Sequence, residues 1–248
     1  MVDWAACLAQ VKPHPISGTL LRLVESQEQV ATNQLVSSLE RQAVLEGLLE
    51  ATKPRLRVGT EHLHYLLATP FRYPPLKHGS RFGTRSAPSL FYGALQTHTV
   101  LAEAAYYRFL FWYGMVMPPT AKLDTQHTLF GAAYWTEKGL QLQAPPFAAH
   151  REVLCSRSDY AASQALGAEM RRVGVEAFEF ISARDPDGGI NVALFIPQAL
   201  NGVSPVSQQA WLCELSGARV RFLAAHTHAI HEFSIDTFLV SGKLPYPA

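Results

Sequence analysis

The sequence predicts an α+β fold, and three observations carry the prediction. Helical spacing and short strand-like segments are interleaved without a regular βαβ repeat, the clearest supersecondary signal is a hairpin, and no internal repeat or low-complexity segment is present. The chain has 248 residues, 48% of them hydrophobic, which is enough to bury a core. Charged residues make up only 17% and the formal net charge is +1, so no overall field draws the protein to nucleic acid or an anionic membrane.

From Glu25 to Thr52 there is no proline, and Val30, Ala31, Leu35, Leu39, Val44, Leu45, Leu48 and Leu49 fall at helical spacing. Pro54 disfavours helix in the residue before it and ends the pattern. Residues 1–60 are therefore read as a mainly helical N-terminal section, ahead of one compact domain over 61–248. Glu61 to Leu67 suits a short helix or strand, and the three prolines of Thr69 to Pro75 predict an extended loop. Leu90 to Leu95 reads as a strand, and Thr99 as the N-cap of a helix running to about Tyr113. Ser158 or Asp159 opens a second helix, which closes on Arg171, Arg172 and Gly174. Glu176 to Ser182 and Ile190 to Ile196 alternate on either side of Asp185-Pro186-Asp187-Gly188-Gly189, which predicts a hairpin. Arg219 to Ala225 is a further strand.

The longest apolar run, Phe109 to Met117, is far shorter than the roughly 20 residues of a membrane span. Met1 to Gln10 lacks the basic and apolar regions of a secretory signal, so the expected location is cytoplasmic. Cys7, Cys155 and Cys213 lack zinc or disulfide spacing.

Between His62 and Ala102 there is no acid, while Arg72, Lys77, Arg81 and Arg85 are all present. Arginine forks suit bidentate phosphate contacts, so the stretch is a candidate site for a dinucleotide pyrophosphate. The alternative is a loop whose arginines pair with acids elsewhere. Glu103 is the next acid, and its helical neighbours Thr99, Val100, Tyr106 and Tyr107 offer it no cation. A carboxylate without a local partner is either a functional group or half of a distant ion pair. Alternation sets the Tyr92 ring opposite Phe91, either at a cleft or in the core. Ser182 falls on the inward face with Phe178 and Phe180, where its hydroxyl needs a partner, be it a ligand group or the turn backbone. His226, His228 and His231 form a weak metal signal, read as solvated or structural, and no metal is expected.

Together these segments resemble the RES domain, named for an arginine, a glutamate and a serine. Gly79-Ser80-Arg81-Phe82 is similar to its glycine-arginine-aromatic segment, Leu90-Phe91-Tyr92-Gly93-Ala94 to its tyrosine strand, and Thr99 to Ala105 to its glutamate helix. Tyr160 to Gln164, and Phe180 to Arg184 followed by Gly189-Ile190-Asn191, are similar to its C-terminal helix and serine hairpin. The resemblance covers residues 16 to 200 or so. It implies an ADP-ribosyltransferase-like fold that takes NAD⁺ as substrate and breaks the nicotinamide–ribose bond, with water, phosphate or a protein group as acceptor. It assigns Arg81 to the phosphates with Arg72 and Arg85 as further candidates, Tyr92 to stacking on the nicotinamide or its ribose, Glu103 to the ribosyl cation, and Ser182 to a supporting hydrogen bond. It also implies a toxin paired with an antitoxin whose helix-turn-helix domain makes any DNA contact. An unpaired NAD⁺-consuming effector, a protein ADP-ribosyltransferase and a silent binding protein stay open, as does assembly into a homodimer.

Overall fold

A computed structural model describes residues 2–26 and 38–246. In chain order the elements are α1 (Trp4–Ala9), β1 (His14–Glu25), α2 (Leu39–Thr52), α3 (Tyr65–Arg72), β2 (Phe91–Ala94), α4 (Thr97–Gly114), β3 (Leu123–Gln141), α5 (Arg151–Leu154), α6 (Ala161–Arg172), β4 (Ala177–Ile181), β5 (Ile190–Leu194), β6 (Ser207–Leu215), β7 (Arg219–Ala224) and β8 (Ile230–Ser234). The fold is α+β with one mixed sheet, in the order β1-β2-β5-β4-β3-β6-β7-β8. Because β1 also pairs with β3, the first five strands of that order close into a ring. The long β3 makes this possible. Its first half pairs with β6 from Leu123 to Gly131, and its last residues, Gly139 to Gln141, pair in parallel with β4.

Helices α1, α4 and α6 cover the sheet with apolar faces. On α4, Leu101, Ala105 and Phe109 are fully buried against Phe222, Phe233 and Phe238 of the β7–β8 region. A second core gathers Phe82, Phe178, Phe180 and Phe195 beneath Leu166 and Met170 of α6 and Trp4 of α1. No helix among the described residues is long and apolar enough to cross a membrane.

Several expectations need correction. Residues 14–25 form a strand, so among the described residues the segment before residue 60 is part helix and part strand. Its pairing with β3 runs from His14 opposite Gly139 to Glu25 opposite His127, and this tertiary partner decides its conformation. The helical spacing does produce α2, capped by Ser38, whose hydroxyl accepts from the Arg41 N–H at 3.3 Å. Val30, Ala31 and Leu35 lie outside the described residues. The proline loop begins later than expected, because Pro70 lies inside α3. Burial of Leu66, Leu67 and Phe71 outweighs the one helix hydrogen bond a proline forfeits. Finally, α4 starts at Thr97 with Gln96 at its cap position, and Thr99 lies in the first turn, donating instead to Asp185 Oδ2 at 2.7 Å. The cap position of α6 likewise falls later than expected, on Tyr160, while Asp159 just before it accepts from the Ala161 N–H at 2.8 Å. The hairpin joins β4 and β5 in antiparallel register, Phe180 opposite Asn191.

Candidate active site

Where β1, β2, α4 and β5 meet the loop ahead of β2, they enclose a cavity of about 540 Å³. That volume suits a small ligand or cofactor. Arg81, Tyr92 and Glu103 all line it, and Ser182 reaches it through a hydrogen bond to Glu103. The four residues thus meet, although they come from a loop, a strand, a helix and the end of a strand.

Glu103 sits on α4, half-buried, with its carboxylate turned to the β4–β5 hairpin. Ser182 donates to Oε1 at 2.6 Å and Asn191 Nδ2 donates to the same oxygen at 2.7 Å. Its hydrogen bonds among the described residues come from these neutral donors, so the distant ion pair considered from sequence does not form. Tyr92 projects from β2 and fixes the arginine loop. Its hydroxyl accepts from the Phe82 N–H at 3.1 Å and lies 3.0 Å from Ser80 Oγ. Burial pushes this phenol up to about 12, against the opposing hydrogen bonds and the charge of Arg81, so it stays protonated.

Arg81 is 8% exposed. Its Nη1 donates to the carbonyls of Leu154 at 3.1 Å and Ser156 at 2.8 Å, and its guanidinium lies 4.5 Å from the Tyr160 ring centre. The loop reaches this position because α6 carries Gly167, where an added Cβ would meet the Phe82 carbonyl oxygen. Arg72 does not line the cavity. It pairs with Glu50 of α2 at 2.8 Å and bonds the Pro54 carbonyl. Arg85 is exposed on the loop and also lies off the cavity wall. The structure brings neither of them to the cavity that Arg81 lines.

The cavity instead holds two arginines that sequence reasoning passed over. Arg22 of β1 donates from Nη1 to the Tyr92 carbonyl at 2.7 Å, and its buried Nε has no partner. Burial pulls its pKa down to about 10, partly offset by Tyr107, so it remains charged at neutral pH. The available signal was a lone arginine within Leu20-Leu21-Arg22-Leu23-Val24, a charge where an apolar strand would otherwise be continuous. Arg108, further along α4 than Glu103, pairs with Glu25 at 3.0 Å. His127 lines the same wall, and burial, reinforced by Arg108, lowers its pKa to about 4.

Of the three histidines weighed as a metal cluster, His226 and His228 are exposed, and the His231 ring packs near His98 and Trp211. Another group, His98, Asp185 and Asp187, has ligand atoms within 4.8 Å of one another. The buried Asp185 is already engaged by the Thr99 hydroxyl at 2.7 Å and the Asp187 N–H at 3.0 Å.

Fold and site define an α+β protein with a cavity that opposes a hydrogen-bonded carboxylate to a set of arginines. The RES-domain family model matches residues 55–216, and the chain belongs to that family. A comparison with curated proteins returned no match.

Proposed function

We propose that this protein cleaves NAD⁺ between nicotinamide and ribose, on an ADP-ribosyltransferase-like version of its α+β fold. The observation that carries the reading is Glu103, a carboxylate fixed by Ser182 and Asn191 in the cavity that Arg22 and Arg81 also line. As the C–N bond breaks, its electron pair leaves with the nicotinamide and positive charge develops on the ribose. A preorganised carboxylate beside that carbon stabilises the charge, and arginines hold the pyrophosphate. Arg22 takes the phosphate role beside Arg81, since no acid pairs with it among the described residues. The Tyr92 ring supplies a wall for the nicotinamide or its ribose. Water, phosphate or a protein group then attacks the ribose from the open side.

The family resemblance supports a toxin role, with a helix-turn-helix antitoxin that blocks the cavity. The primary test incubates the purified protein with NAD⁺, with and without phosphate, and identifies the products. Glu103→Gln keeps the size of the side chain and removes its charge. Turnover is expected to fall roughly a hundredfold, equivalent to about 2.7 kcal/mol, with NAD⁺ affinity little changed. A variant that binds NAD⁺ and turns it over at the parental rate rules out the role given to Glu103.

A further inference from the structure

Ser182 and Asn191 approach Glu103 from the two sides of the β4–β5 hairpin, and both end on Oε1. A serine hydroxyl has one proton and two lone pairs. Here the backbone N–H groups of Arg184 and Asp185 donate to Ser182 Oγ at 3.1 and 3.0 Å, which fills the lone pairs. The proton is therefore committed to Glu103, and Ser182 is a fixed donor with no freedom to attack a substrate. Asn191 is equally constrained. Only its amide nitrogen can face a carboxylate, and that orientation leaves its own Oδ1 buried without a hydrogen-bond partner. An asparagine that merely filled the hairpin would have no reason to keep an unsatisfied oxygen in a cavity wall. Such an atom marks a position held for something other than packing.

We infer that Asn191 is a positioning residue: with Ser182 it pins Glu103 by Oε1, so that Oε2 is the one carboxylate oxygen offered to the ligand. Glu103 Oε2 has no hydrogen bond from the described residues, and Glu103 and Asn191 both line the cavity. Two donors on one oxygen fix the plane of the carboxylate as well as its place, which is what a charge aimed at a single ribose carbon requires. The inference rests on the reading of Glu103 as the group opposite the ribosyl cation.

The test compares Asn191→Leu, which preserves volume, in the parental and Glu103→Gln backgrounds. In the parental background kcat should fall about tenfold or more while KM stays within roughly threefold. In the Glu103→Gln background the same change should cost less than about twofold, because a residue that acts through Glu103 has nothing left to position. Equal losses in both backgrounds overturn the proposal. Ser182→Thr, which keeps the hydroxyl, should retain far more turnover than Ser182→Ala. A urea-unfolding double-mutant cycle between Glu103 and Asn191 needs no turnover, and a coupling indistinguishable from zero also overturns the clamp. Should the parental protein leave NAD⁺ intact, the proposed function falls while the unfolding cycle still decides whether Asn191 holds Glu103.

Discussion

His127 separates two kinds of basic group in the cavity wall. It is 5% exposed, and burial, with Arg108 beside it, lowers its pKa to about 4, so it is neutral at pH 7. The field felt by an anion therefore comes from Arg22, Arg81 and Arg108, and it does not fade through the histidine range. The stability of the fold does respond to that range. An unfolded histidine takes up its proton near 6.5, whereas folded His127 waits until about 4, so the unfolded chain binds more protons between these values. Stability from this residue is complete above the unfolded pKa and is lost as pH falls toward 4. Between pH 7 and 5 the loss is about 2 kcal/mol. His127→Gln can keep the contact to Thr125, which lies 2.9 Å from the histidine Nε2, and removes the titration. In urea unfolding at pH 7 and pH 5 the variant should lack about 2 kcal/mol of the parental pH dependence. An unchanged difference between the two pH values would place the titration elsewhere.

At the scale of elements, the contacts between them decide where the site residues point. Gly167 lets α6 lie directly on the backbone of the arginine loop. A methyl group there would meet the Phe82 carbonyl oxygen, with its carbon at 2.8 Å. Backbone cannot swing aside as a side chain can, so Gly167→Ala should push the loop from α6 and cost roughly 2 kcal/mol or more, as overpacking does. Because the loop carries Arg81 and is tied to Tyr92, nucleotide affinity should fall with stability, which calorimetry with ADP-ribose and thermal unfolding would measure. A variant as stable and as tightly binding as the parent would show that the loop does not depend on α6. Gly189 does the same on the other side, where an added Cβ would run into the Thr99 hydroxyl and Asp185 Oδ2. Neither glycine was legible from the sequence, since a close approach between distant segments leaves no local pattern. The hairpin was legible because its turn chemistry and both strands are local. Helix α4 was legible in type and length, but not in its cap, because Thr99 answers to Asp185 across the fold.

For the whole molecule, the same contrast explains what the sequence hid. Strands β1 and β3 share the longest pairing in the sheet, yet neither alternates cleanly, because different parts of β3 serve β1, β4 and β6. His14 to Glu25 carry no local strand pattern, since β1 takes its conformation from β3, and Arg22 lies within that stretch. The consequence is a test of what the fold needs. The RES-domain match ends at residue 216 and starts at 55, so a fragment of that span lacks β1, β7 and β8. Without β1 the ring opens, Leu20 leaves the core, and one edge of β3 loses its partner from His127 to Gly139. Without β7 and β8, Phe109 of α4 faces solvent where Phe222 and Phe233 had covered it. Each fully buried phenylalanine or leucine contributes about 1.5–3 kcal/mol, so losing several exceeds the roughly 5–15 kcal/mol by which a typical domain is stable. Residues 55–216 alone should therefore show no cooperative unfolding transition and no dispersed amide spectrum, whereas residues 1–248 should show both. A fragment that folds cooperatively would mean that β1 and the β7–β8 extension decorate the site rather than build it.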